Sequence, residues 1–118
     1  MHDFSLVGID IGTSAVKVLL WRSDGRCRSA YRGAKESYVQ RHGSDVPEQD
    51  PRKLWDIVTE CIREVLGGCD AHSVAGVGLA GHSPSLVAVD CNGDPIGNII
   101  TWMDPRPVMA EDCRKIHN

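Results

Sequence analysis

The stretch Gly8-Ile9-Asp10-Ile11-Gly12-Thr13-Ser14-Ala15-Val16-Lys17 sets a carboxylate at the end of an apolar run and follows it with a glycine turn bearing two hydroxyls. Backbone N–H groups, O–H donors and a cation-attracting charge then share one small volume, which suits a nucleotide phosphate with magnesium. Asp and Ser are also ordinary formers of surface hairpin turns, so this loop alone leaves both readings open. A second glycine stretch, Gly76-Val77-Gly78-Leu79-Ala80-Gly81, has GxGxxG spacing. It runs through Ser83-Pro84-Ser85 into another strand-like segment instead of opening a helix, so a dinucleotide site is not expected. Gly76 and Gly78 are expected instead to let a helix pack closely. No GxxxxGK[ST] loop occurs. A third group, Trp102-Met103-Asp104-Pro105-Arg106, closes an apolar run with a ring, a carboxylate and a guanidinium. A core tryptophan, an Asp-Pro turn and a solvated arginine would explain it equally well.

Composition narrows the chemistry further. The 118 residues carry 13 basic and 16 acidic side chains, a formal charge of −3, which argues against a module held to nucleic acid by phosphate contacts. The apolar runs, such as Val18-Leu19-Leu20-Trp21, fall far short of the roughly 20 residues that span a bilayer, so no membrane partner is expected. Met1-His2-Asp3-Phe4-Ser5 lacks the features of a secretory signal, and a cytoplasmic protein is expected. Cys27, Cys61, Cys69, Cys91 and Cys113 are odd in number and form no CxxC pair, which predicts free thiols. His2, His42, His72, His82 and His117 are equally scattered, so a metal site made only of protein ligands is not expected.

The elements that must position these groups follow from pattern and punctuation. Residues 4–11 read as a strand, Val16 to Trp21 as its hairpin partner, and residues 27–33 as a third strand beyond the Ser23-Asp24-Gly25-Arg26 turn. Residues 34–49 show no clean period and read as a loop. Asp50-Pro51 is an N-cap followed by the preferred first helical residue. Leu54, Val58, Cys61, Ile62 and Val65, with Trp55 and Ile57 broadening the stripe, predict an amphipathic helix that ends at Gly67-Gly68. Residues 74–80 read as a central parallel strand, apolar on both faces. Leu86 to Asp90 and Ile96 to Trp102 flank the turn at Cys91 to Asp94 and predict another hairpin; Val108 to His117 reads as the start of a helix. The order β-β-β-α-β, then a hairpin and a helix start, is of the α/β class.

GIDIGTSAVKVLLW, PEQDPRKLWDIV and VAGVGLAGHSPSLVAVDCNGDPIGNIITWMDPRP, in this order and spacing, together resemble the N-terminal part of the FGGY family of carbohydrate kinases. The resemblance runs from Leu6 to about Arg106. It implies a ribonuclease H-like mixed sheet of the actin, hexokinase and Hsp70 ATPase superfamily, incomplete in this chain. It implies ATP and magnesium as cofactors, with Asp10 holding magnesium through water, Gly12, Thr13 and Ser14 under the β- and γ-phosphates, and Lys17 close by. Gly81-His82-Ser83-Pro84-Ser85 matches the family's substrate loop, which reads like GQMHG in xylulokinases. His82, Ser83 and Pro84 depart from that pattern, so a xylulose assignment does not transfer. Trp102, Asp104 and Arg106 match the W-x-D-x-R stretch that lines the sugar pocket.

The resemblance further implies that residues 1–118 form the N-terminal part of the first of two domains. The catalytic aspartate, the general base, lies beyond residue 118 together with the second domain, so this polypeptide is expected to be inactive alone. Phosphoryl transfer depends on positioning and charge stabilisation from both sides of a cleft. A strand edge left without its neighbour invites pairing with another copy, so self-association is expected. The leading expectation is an ATP-dependent sugar or polyol kinase. The alternative is a non-catalytic nucleotide- or partner-binding ribonuclease H-like module. A nuclease would need a carboxylate cluster for two metals, which the sequence does not offer.

Overall fold

The computed structural model describes residues 3–40 and 45–104; Arg106 and the helix expected over Val108 to His117 lie outside them. The three-strand meander forms as the pattern predicts: β1 (Ser5–Ile11), β2 (Ala15–Arg22) and β3 (Cys27–Gly33) pair antiparallel in sequence. The β2–β3 turn closes with Gly25 N–H donating to Arg22 O at 2.8 Å. Gly25 has a φ of +85°, a conformation that a side chain would strain. Asp24 accepts from the Arg26 Nε and backbone N–H at 2.8 and 3.0 Å, and this guanidinium holds its carboxyl down at about 2.

Residues 34–49 depart from the expected loop. A 3-10 turn at Lys35–Ser37 leads into β4 (Tyr38–Gln40), which pairs antiparallel with β5 (Pro47–Gln49). Each strand has three residues, too short for a side-chain period to register. What orders them is remote. Gln49 exchanges backbone hydrogen bonds with Ile99 at 2.7 and 3.1 Å, and its fully buried amide donates to Ser37 Oγ at 2.9 Å.

Helix α1 (Pro51–Leu66) starts where Asp50-Pro51 predicts, with the Asp50 carboxylate accepting from the N–H groups of Arg52 and Lys53. Leu54, Val58, Cys61 and Val65 are buried against Val16, Val18, Leu20 and Ala30 of β2 and β3 and Val7 of β1. Trp55 does not widen this stripe; its ring is 62% exposed. It follows Leu54 by one residue, about 100° around the helix axis, and so points away from the sheet-facing residues. The Arg28 guanidinium on β3 donates to Gly67 O, tying the helix end to the sheet.

Strand β6 (Val74–Gly81) runs parallel to β1, giving the order β3-β2-β1-β6, a mixed sheet. It stands at the edge of the four-stranded sheet instead of the centre, and Val77 and Leu79 are 63% and 72% exposed. Gly76 and Gly78 pair with Leu6 and Gly8, so they share the face opposite α1. The expectation that they admit this helix is therefore corrected: β1 and β2 residues that alternate with the buried core share their open face.

The hairpin expected over residues 86–102 is present as a path but not as paired strands. It is held by isolated bridges, Leu86 to Ile100 and Val89 to Pro95. The Asp90 carboxylate accepts from Asn92 and Asp94 N–H groups at 2.8 and 2.9 Å, which lowers its pKa, and Gly93 takes a φ of +86°. Local turn chemistry is satisfied as predicted while the ladder is broken.

Candidate functional site

The C-terminal ends of β1 and β6 bring the first two chemistry-bearing stretches side by side, because Ile11 registers with Gly81 and His82 N–H donates to Ile11 O at 3.1 Å. Parallel pairing of these strands is thus what makes Gly12 to Ser14 and His82 to Ser85 neighbours, although some 70 residues separate them.

Asp10 and Lys17 face each other across the β1–β2 pair, with Nζ 3.5 Å from Oδ2 and both side chains about half exposed. A surface pair of this kind is worth little, so either group can turn to a ligand at small cost. No group of three metal-ligating side chains exists among the described residues. A single carboxylate fits an ion that keeps most of its water and takes the rest of its ligands from phosphate, as magnesium does.

Between the strands the turn is tight. Gly12 N–H donates to Ala15 O at 2.9 Å, and a Cβ on Gly12 would stand 3.0 Å from that same oxygen. The turn is pinned from outside as well: Ala34 N–H donates to Ser14 O at 2.9 Å and the Tyr38 hydroxyl to Thr13 O at 3.0 Å. Burial raises the Tyr38 pKa, keeping that hydroxyl a donor. Tyr38 went unnoticed in the sequence because it sits in a stretch without period, and its partner is 25 residues away.

The third stretch arrives at the same place. Trp102 Nε1 donates to Thr13 Oγ1 at 3.0 Å across 89 residues. Trp102 backbone N–H donates to Ser85 Oγ at 3.3 Å, and Ser85 Oγ lies 2.8 Å from His82 Nδ1. Pro84, Ser85, Leu86, Ile100, Thr101, Trp102 and Asp104 line an open groove of about 530 Å³. Trp102 is therefore not core; it is 53% exposed at the mouth of this groove. Asp104 N–H donates to Thr101 O at 3.0 Å, closing a turn over residues 101–104; Pro105, the other half of the expected Asp-Pro turn, lies outside the described residues. Of the sequence-predicted site residues, Asp10, Gly12, Thr13, Ser14 and Lys17 thus form one end of the cluster. His82, Pro84, Trp102 and Asp104 form the other, with Ser83 between His82 and Pro84; Arg106 lies outside the described residues. Ser85 is the connecting residue that the reading of the substrate loop did not single out.

A meander, a helix and a returning parallel strand, with an acidic strand end beside a glycine turn, define a ribonuclease H-like α/β domain with a candidate phosphate loop. Comparison with known proteins agrees. Residues 5–118 match the family model described as "FGGY family of carbohydrate kinases, N-terminal domain". A xylulose kinase of Staphylococcus xylosus is 32% identical over 112 residues, 93% of this chain and 23% of the relative. A glycerol kinase of Gloeobacter violaceus is 31% identical over 114 residues, 95% of this chain and 22% of the relative. The crystal structure of a gluconate kinase from Lactobacillus acidophilus superposes with a TM-score of 0.68 at 25% identity, over 86% of this chain and 20% of that one. The chain belongs to the FGGY family of carbohydrate kinases, its match falling on the model of the family's N-terminal domain. It spans less than a quarter of the length of the relatives it matches.

Proposed function

We propose that the protein carrying this domain is an ATP-dependent carbohydrate kinase that transfers the γ-phosphoryl group to a hydroxyl of a sugar or polyol. The observation that carries the reading is the Trp102 to Thr13 hydrogen bond, which holds the candidate phosphate loop and the candidate acceptor groove against each other. Donor and acceptor must meet within one site for in-line transfer, and such contact between their loops is what that requires.

In this reading Gly12, Thr13 and Ser14 receive the β- and γ-phosphates, Lys17 offers charge beside them, and Asp10 holds magnesium through water. Magnesium-ATP supplies the phosphoryl group and the neutralisation of its charge. His82, Ser83, Pro84, Trp102, Asp104 and Arg106 line the acceptor pocket. The chain forms the N-terminal part of the first domain, and the general base is contributed by sequence beyond residue 118, so the 118 residues alone do not turn over. ATP as donor, with Cys27 and Cys91 exposed as free thiols, fits the reducing, nucleotide-rich cytoplasm.

The relatives act on different acceptors by name, xylulose, glycerol and gluconate, so the acceptor is to be found by assay. ADP release by the complete gene product is measured against pentuloses, hexuloses, aldonates and polyols. Selective turnover with one of them is expected. Binding of nucleotide without turnover on any acceptor would replace this reading with a non-catalytic nucleotide-binding module.

For the 118-residue chain we also propose self-association through the outer edge of β6, whose eight residues carry no charge. Uncharged edges of this kind pair readily with a second copy. Sedimentation should show mass rising with concentration; a single 12.9 kDa species throughout would exclude it.

A further inference from the structure

We propose that Trp102 is a positioning residue for the phosphate loop: its indole N–H sets the direction and donor strength of the Thr13 hydroxyl. This rests on the reading of residues 12–14 as the phosphate loop, and gives Trp102 a second task besides lining the acceptor groove.

A single oxygen, Thr13 Oγ1, links the two loops. Indole Nε1–H can only donate, so in the 3.0 Å contact Thr13 Oγ1 must accept. The hydroxyl's one hydrogen is left over. With one lone pair fixed by the indole, that hydrogen is restricted to the remaining directions. A hydroxyl that accepts one hydrogen bond also donates a stronger one, since chained hydrogen bonds polarise each other. The Thr13 backbone is meanwhile held by the Tyr38 hydroxyl on its carbonyl at 3.0 Å, so the side chain cannot follow a ligand by moving the turn. Two donors from distant parts of the chain, β4 and the segment after Ile100, thus converge on one threonine.

Trp102 is itself held from behind. Its backbone N–H donates to Ser85 Oγ at 3.3 Å, and the same Ser85 oxygen is 2.8 Å from His82 Nδ1. His82, Ser85, Trp102 and Thr13 therefore form a continuous polar chain from the substrate-loop segment to the phosphate loop. A wall of a sugar pocket would need only the ring of Trp102. A ring whose N–H is spent on the phosphate loop is placed to do more.

The test uses the ¹⁵N-labelled 118-residue chain titrated with magnesium pyrophosphate, which presents phosphate oxygens without needing an adenosine site. Three indole N–H resonances are available, from Trp21, Trp55 and Trp102. The Trp102 resonance is expected to move saturably while the other two stay. Trp102→Phe, which keeps a ring but no N–H, is expected to lower the urea midpoint by an amount worth about 1 kcal/mol and, in the still-folded chain, to weaken pyrophosphate binding roughly fivefold. Thr13→Val should weaken it at least as much, Thr13→Ser should restore it, and Trp102→Phe added to Thr13→Val should cost nothing more. Additive losses, unchanged affinity in Trp102→Phe, or a stationary Trp102 resonance during wild-type binding would overturn the inference alone. The resonance decides the matter even if Trp102→Phe fails to fold. A wild-type chain that binds no pyrophosphate would overturn the phosphate-loop reading and the inference with it.

Discussion

Gly12→Ala tests whether the β1–β2 turn is as tight as its function requires. The added Cβ would stand 3.0 Å from Ala15 O, the acceptor of the bond that closes the turn. Gly12 does not have a positive φ, so the cost comes from crowding and not from backbone conformation. Relieving the contact stretches or breaks the 2.9 Å Gly12 N–H to Ala15 O bond, worth about 1 kcal/mol. Gly8→Ala, four residues back in β1, is the matched control, because a Cβ there meets nothing within 4 Å. Removing the entropy of an unstrained glycine should stabilise by roughly 0.5 kcal/mol. The same gain applies to Gly12→Ala, so the two variants should differ by the crowding cost alone, about 1 kcal/mol, or about 4 °C in thermal midpoint for a domain of this size. Thermal and urea unfolding followed by circular dichroism measure this difference. Pyrophosphate titration of the same samples should show weaker binding in Gly12→Ala only. A Gly12→Ala midpoint equal to or above that of Gly8→Ala would refute the crowding argument.

Three further outcomes follow from local geometry. Asp50→Ala removes the acceptor of the Arg52 and Lys53 N–H groups and should cost about 1 kcal/mol in urea unfolding; an unchanged midpoint would contradict the cap. The Asp24 carboxyl is held at about 2 against an ordinary 3.8, chiefly by its hydrogen bond to Arg26. A lowered folded-state pKa contributes stability above the ordinary value that disappears as pH falls through the folded one. The advantage of wild type over Asp24→Asn should be constant above about pH 4 and vanish toward pH 2, and a pH-independent difference would sink the assignment. Finally, a thiol reagent should label the exposed Cys27 and Cys91 rapidly. Cys61, buried on the sheet-facing side of α1 with its thiol pKa raised by that burial, should react only on unfolding; mass spectrometry of the native chain decides.

The parts legible in the sequence are those whose signals are local. The β1 to β3 meander, the Asp50-Pro51 start of α1 and the apolar run of β6 each carry their own turn, cap or period, and each forms. The parts that were not legible depend on partners far along the chain. Strands β4 and β5 are too short to show a period and owe their place to Gln49 meeting Ile99 and Ser37. The facing of Gly76 and Gly78 follows from register with β1, which spacing within β6 does not encode. At the candidate site, Asp10, Thr13 and Trp102 were visible as residue types that suit a ligand. Tyr38 and Ser85 were not, since one hydroxyl in an aperiodic stretch looks like any other until its acceptor is known. Trp55 erred in the other direction: apolar content alone placed it in the stripe, and helical phase put it in solvent.

The proposed phosphate site centres on Asp10 and the turn that follows it. The direct measurement is kcat of the complete gene product, wild type and Asp10→Asn, on its best acceptor across a magnesium series. Loss of a charge that organises phosphate and metal should lower kcat by about 10²- to 10³-fold, with the magnesium requirement shifted upward. An Asp10→Asn enzyme with wild-type kcat and an unchanged magnesium dependence would contradict the placement of the phosphate site at residues 10–14.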